Sequence, residues 1–175
     1  MIVRRFSIAS RALACRRGSA AVEMALVTPM LLALLFGAAD LGNYFLSEHA
    51  LVSSVRDGAR YASRRYSTNC VAVSDDNTAP IATATKNLIR TNTIDGTGPI
   101  RLKGWSDAQA RIIITVECKT DPSYYPGSIY TASANGVPKV TITAAVPYTS
   151  LFKAFGLTTT TINLNASAQA AVVGA

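Results

Sequence analysis

The chain has 175 residues, 17 bases against 10 acids, a formal charge of +7 and three cysteines. That length leaves room for one small folded domain once an apolar segment is set aside. The charge does not mark a nucleic-acid binder, which carries its basic excess on the folded domain: Arg4, Arg5, Arg11, Arg16 and Arg17 all precede the apolar segment, and the remaining 12 bases face 10 acids.

Residues Met1 to Gly18 form a basic leader with no acid and no long apolar run. A lipoprotein signal is rejected, because Cys15 is preceded by Arg11 and followed by Arg16. Arg4-Arg5-Phe6 is a single arginine pair, too common by chance to define a twin-arginine signal. From Met24 to Ala39 there are 16 consecutive uncharged residues. Counted from Ala20, the run is about the 20 residues that a helix needs to cross a bilayer. Its two exceptions to plain apolarity are Glu23 and Pro29. A carboxylate at mid-membrane costs roughly 2.5–3.5 kcal/mol, less near an end, so Glu23 calls for a partner. The arginine-rich flank stays cytoplasmic by the positive-inside rule, which places everything after Ala39 across the membrane. Gly37-Ala38-Ala39 offers a competing signal-peptide cut after Ala39. Against it stand the length of the apolar run and a helical period that continues through the cut.

That period is carried by Leu41, Tyr44, Phe45, Leu51, Val52, Val55, Ala59, Ala62 and Tyr66, three or four residues apart. Asn43, Ser47, Ser54, Arg60 and Arg64 fill much of the remainder. One helix of roughly 45 residues is expected, ending near Arg65, with its second half laying an apolar stripe on a soluble domain. Gly58 inside it costs about 1 kcal/mol relative to alanine. Either a close approach of another backbone explains it, or it is a local weakness.

The segment RRGSAAVEMALVTPMLLALLFGAADLG, followed by ALVSSVRDGARYAS, resembles the TadE-like family of pilin-related proteins in tight-adherence (Flp) pilus systems. The shared features are a basic leader ending in glycine, a small-residue start with glutamate at the fifth mature position, and an apolar helix containing proline. A REGAR-like stretch follows, here Val55-Arg56-Asp57-Gly58-Ala59-Arg60, with aspartate for the commoner glutamate. The likeness is strong over residues 16–65 and general beyond. The resemblance implies cleavage between Gly18 and Ser19 by a prepilin peptidase. It also implies that Glu23 meets the amino terminus of a neighbouring pilin, and that Pro29 loosens the helix on leaving lipid. The major Flp pilin is shorter and has tyrosine after the glutamate, where Met24 stands here. The longer TadG-like relatives can carry a metal site with a DxSxS motif, which this chain lacks.

The implied domains are a cytoplasmic leader (1–18), a transmembrane helix (19–40), its periplasmic continuation (41–66) and an extracytoplasmic α+β domain (67–175). Cys70 and Cys118 fall in the exported part, an oxidising compartment in which they form a disulfide. The alternative is two buried free thiols.

Past the helix, Ser74-Asp75-Asp76-Asn77 and Asp95-Gly96-Thr97-Gly98-Pro99 are turns. Asp75 and Asp76 lack the spaced ligands and distal glutamate of a calcium loop. Pro80 to Thr91 forms a short helix with Ile81, Ala84 and Leu88 on one side. Three strands follow with period two. Arg111–Lys119 directs Ile112, Ile114, Val116 and Cys118 to one face, and Lys139–Val146 directs Val140, Ile142, Ala144 and Val146. Thr161–Val172 sets Ile162, Leu164, Ala166, Ala168, Ala170 and Val172 against Asn163, Asn165, Ser167 and Gln169. Strict alternation denotes an antiparallel sheet with one buried face, which the long helix covers. Leu151, Phe152, Phe155 and Leu157 close an edge of the core. The expected fold is α+β and pilin-like: a long helix on a small antiparallel sheet.

No catalytic constellation emerges. His49 is the only histidine and has a helix-surface role. Gly104-Trp105-Ser106-Asp107-Ala108 lacks the second glycine of a nucleophile elbow. Cys70 and Cys118 are not a CxxC pair, and no phosphate-cradling loop occurs. Neither metal nor cofactor is expected. Trp105, Tyr124, Tyr125 and Tyr130 either complete a core or form an adhesive surface.

Two functions remain. One is a minor pilin or pseudopilin of a Flp (type IVb) pilus, at the bacterial inner membrane, with prepilin peptidase and other Tad/Flp pilins and assembly proteins as partners. It would prime or support pilus biogenesis and surface adherence, entering the fibre or staying at its base. The other is a stationary, single-pass periplasmic binding domain.

Overall fold

The computed structural model describes residues 18–66, 72–74, 80–119, 137–150, 152 and 162–172. Helix α1 spans Ser19–Arg65 without interruption, through Pro29, and ends on Arg64 and Arg65. Cations in a last turn complement the negative end of the helix dipole. The chain divides into two compact units, Met1–Leu41 and Gly42–Ala175.

In the first unit every residue from Ala20 to Phe36 is exposed, including Met24, Leu26, Met30, Leu34 and Leu35. A helix apolar all round and unburied is built for a bilayer or for other helices, not for water. It is the one helix among the described residues long and apolar enough to cross a membrane.

In the second unit, α1 buries Leu51, Val55, Ala59 and Ala62 completely or nearly so. The expected stripe is corrected at its start. Leu41 belongs to the first unit and is exposed, as is Phe45, which sits about a quarter turn from the buried face. Ser54, expected on the wet side, is buried; its hydroxyl donates to the Leu51 carbonyl at 2.8 Å, which satisfies it locally.

Helix α2, Pro80–Thr91, starts on proline at the position where a missing N–H costs nothing. It stops at Asn92, whose φ of 63° is the left-handed conformation that ends helices. Its boundaries are those expected, but its buried face is Ala82, Thr85 and Ile89, one residue on from Ile81, Ala84 and Leu88. Thr85 reads as polar in a pattern, yet its hydroxyl donates to the Ile81 carbonyl (2.7 Å), leaving its methyl for the core.

A 3₁₀ turn, η1 (Lys103–Ser106), leads into strands β1 (Arg111–Lys119), β2 (Val137–Pro147) and β3 (Asn163–Ala171). They pair antiparallel in the order β1-β2-β3. Register aligns Ile114 with Ile142 and Ala168, and Val116 with Val140 and Ala170, so the apolar sets share one face. Val73 adds a bridge to the outer edge of β1, exchanging hydrogen bonds with Val116 at 2.9 and 2.8 Å. The β1 limits are those expected, and β2 is longer. β3 excludes Ile162, which is half exposed and serves through its carbonyl, accepting from the Tyr148 N–H at 2.7 Å. Leu51, Val55, Ile89, Ile114, Ile142 and Leu164 join helices and sheet in one core. This is the α+β arrangement of a long helix on a three-stranded antiparallel sheet. Leu151, Phe155 and Leu157 lie outside the described residues, while Phe152 is partly buried.

Candidate functional site

The start of α1 gathers the residues expected to govern processing and assembly. Gly18 is exposed, and Ser19 is the first residue of the helix. Glu23 follows one turn later, the one charge in the exposed stretch from Ala20 to Phe36. The Thr28 hydroxyl donates to the Met24 carbonyl at 2.6 Å, while Pro29 has no N–H to give to the carbonyl of Ala25. The helix is therefore intact yet one hydrogen bond short, a local weakness within the apolar segment.

The VRDGAR stretch divides into an inward and an outward half. Val55 and Ala59 are core. Gly58 is where α2 crosses: a Cβ there would stand 2.6 Å from Ile89 Cγ1 and 2.7 Å from Cδ1. Of the two readings of this glycine, neither a backbone approach nor a plain weakness describes it: the neighbour is the side chain of Ile89. Asp57 faces Arg101 at 3.8 Å and Arg60 at 4.0 Å. Arg101 is fixed by its own N–H, which donates to the Arg90 carbonyl at 2.9 Å, so an ion pair ties α1 to the segment after α2. Arg56 and Arg60 are exposed.

A groove of about 560 Å³ lies beside the end of β2, lined by Asn43 and Ser47 of α1, Arg101 to Gly104, and Val146 to Ser150. Tyr148 anchors it, accepting a hydrogen bond from Asn43 Nδ2 (3.0 Å) and meeting Tyr44 edge-on at 5.3 Å. Gly104 packs directly on the Pro147 carbonyl, leaving no room for a side chain. Neither Arg101 nor Tyr148 stands out in the sequence. Both are brought to α1 by contacts distant along the chain, which no local period announces.

The other candidates fall out as follows. His49 is exposed on α1, at a shallow groove that it lines with Ser53, Arg56 and Arg60. Trp105 is only 7 % exposed and belongs to the core, with the Arg90 guanidinium 5.8 Å from its ring centroid; the adhesive reading fails for it. Tyr124, Tyr125, Tyr130, Asp75 and Asp76 lie outside the described residues. Among the described residues no three His, Cys, Asp or Glu side chains cluster. Cys118 is disulfide-bonded; Cys70, its expected partner, lies outside the described residues.

Fold and site together define a class: an α+β protein whose long N-terminal helix is half exposed and apolar, half buried on an antiparallel sheet. Residues 18–60 match the family described as TadE-like protein, in agreement with the resemblance read from the same segment. The match begins at Gly18, ends at Arg60, and so takes in Glu23, Pro29 and the VRDGAR stretch. The match is a likeness of that segment, about a quarter of the chain. No curated protein and no solved structure matches the chain.

Proposed function

We propose that the protein is a minor pilin or pseudopilin of a Flp-type pilus, held in the membrane by α1 and packed through it against other pilins. The leader 1–18 is cytoplasmic and is removed between Gly18 and Ser19 by a prepilin peptidase. The transmembrane part is 19–40, and the folded part lies on the periplasmic side of the inner membrane. The carrying observation is Glu23: the one charge in the exposed apolar segment 20–36, inside a stretch that matches the TadE-like family. Desolvated alone it is costly, and the new amino terminus of an adjacent subunit would offset that cost. A size argument favours a minor role, since a fibre of this subunit alone would carry the whole sheet domain at every step. The reading is noncatalytic.

The stationary binding domain is the competing reading, and the groove beside Tyr148 is the observation in its favour. Glu23→Gln separates them. It is expected to leave insertion and the Ser19 amino terminus intact while abolishing or sharply reducing surface pili. Normal piliation would remove the assembly role of Glu23, and normal piliation after deletion of the protein would remove the pilus reading. An amino terminus at Asp40 would show a secreted protein instead.

A further inference from the structure

Arg56, Arg60 and Arg64 recur at four-residue intervals on α1, and all three are exposed. Residues so spaced stand one above another, giving a cationic ridge about 12 Å long. His49 and Ser53 continue the same face, which borders a shallow groove of about 190 Å³. The ridge faces away from Leu51, Val55, Ala59 and Ala62, so the core does not require it.

Its charges are poorly matched within the molecule. Arg60 reaches Asp57 at only 4.0 Å, and that carboxylate is shared with Arg101. Arg56 and Arg64 have no ion pair among the described residues. Elsewhere the domain neutralises neighbouring bases: Lys119 and Lys139 both hold Glu117, at 3.3 and 3.0 Å. Like charges one turn apart destabilise a helix. The helix dipole offsets this at Arg64 in the last turn, while Arg56 has no ion pair among the described residues to offset it.

We propose that the ridge is a docking surface for an acidic helix of a partner protein, one bearing carboxylates a turn apart. Glutamates or aspartates at four-residue spacing repeat the ~6 Å step of the three guanidiniums, each of which can grip a carboxylate with two donors. A headgroup layer is the poorer occupant. Lipid headgroups are laterally mobile and offer no fixed one-turn spacing of anions to match three guanidiniums. The inference rests on the assembly reading for its setting, and names the chemistry of the partner.

The full chain in phosphatidylcholine nanodiscs tests it. The probes are a fluorescent alanine-based helical peptide with glutamates one turn apart, an isomer with the same glutamates spread around the helix, and phosphatidylglycerol vesicles. The aligned peptide is expected to bind in a salt-sensitive way. Binding should weaken by roughly three- to a hundredfold in Arg56→Gln/Arg60→Gln/Arg64→Gln, the sum of three exposed pairs. It should persist in Arg111→Gln, which removes an exposed base on β1, and fall only in part in the triple lysine variant, which keeps the charge and loses the paired donors. Equal binding of the two peptides, retention by the glutamine variant, or preference for the vesicles would overturn the proposal. Should the glutamine variant misfold, Arg60→Gln alone must still weaken the aligned peptide more than Arg111→Gln does. Because no pilus is involved, a negative result here is distinct from normal piliation of Glu23→Gln.

Discussion

Gly58 shows how much one residue type decides. In an isolated helix, alanine there would gain about 1 kcal/mol. In this molecule its methyl would press on the fully buried Ile89, and forcing atoms into a packed core costs about 1–3 kcal/mol. Gly58→Ala is therefore expected to lose about 1 kcal/mol net in a denaturant titration. Ile89→Ala is destabilising alone, by about 2–5 kcal/mol, yet it removes the atoms that Gly58→Ala meets. The double variant should be more stable than the sum of the two by about 2 kcal/mol, the overpacking that no longer arises. Strict additivity would show that the two helices do not meet there.

At the scale of elements, α1 is written plainly in its period. The strands owe their pairing to alternation: a one-residue slip would turn Ile112, Ile114 and Val116 outward. On the other face Glu117 sits opposite Lys139 and two residues from Lys119. Hydrogen bonds from Lys139, then Lys119, and the charge of both hold its carboxyl below the usual glutamate range. A lowered folded-state value means stability that is present above the unfolded value of about 4.3 and lost as pH falls through the lower folded one. Glu117→Gln should thus be less stable than the parent at neutral pH. The difference should shrink as pH drops below about 4.3, and shrink also in high salt, since the pair is partly exposed. Thermal melts across that range check it; a gap independent of pH would assign the loss to packing.

For the whole molecule, the second unit is small and its core modest, so a covalent tie matters. A Cys70–Cys118 bridge, our proposal for the bonded Cys118, would close 49 residues. It would stabilise the fold by about 4 kcal/mol in the loop-entropy model, a large share of the stability of a small domain. Denatured, unreduced protein from its native host should resist alkylation at both positions. Peptide mapping should recover the two in one linked fragment. Free labelling of Cys70, or linkage to Cys15, would refute the pairing.

Sequence alone determined what repeats locally. The apolar run with Glu23 and Pro29, the helix to Arg65, the span of α2 and the faces of three strands all follow from periods of 3.6 and 2, which each segment carries in itself. The family resemblance rests on that same N-terminal stretch. Tertiary structure decided whatever depends on two distant segments meeting. Which side of α2 is buried, why Gly58 is glycine, the Asp57–Arg101 pair, the Asn43–Tyr148 contact and the burial of Trp105 are examples. A sequence period fixes which residues share a face. Only packing fixes what that face meets, because short polar side chains such as Ser54 and Thr85 enter the core once their own helix satisfies their hydroxyls.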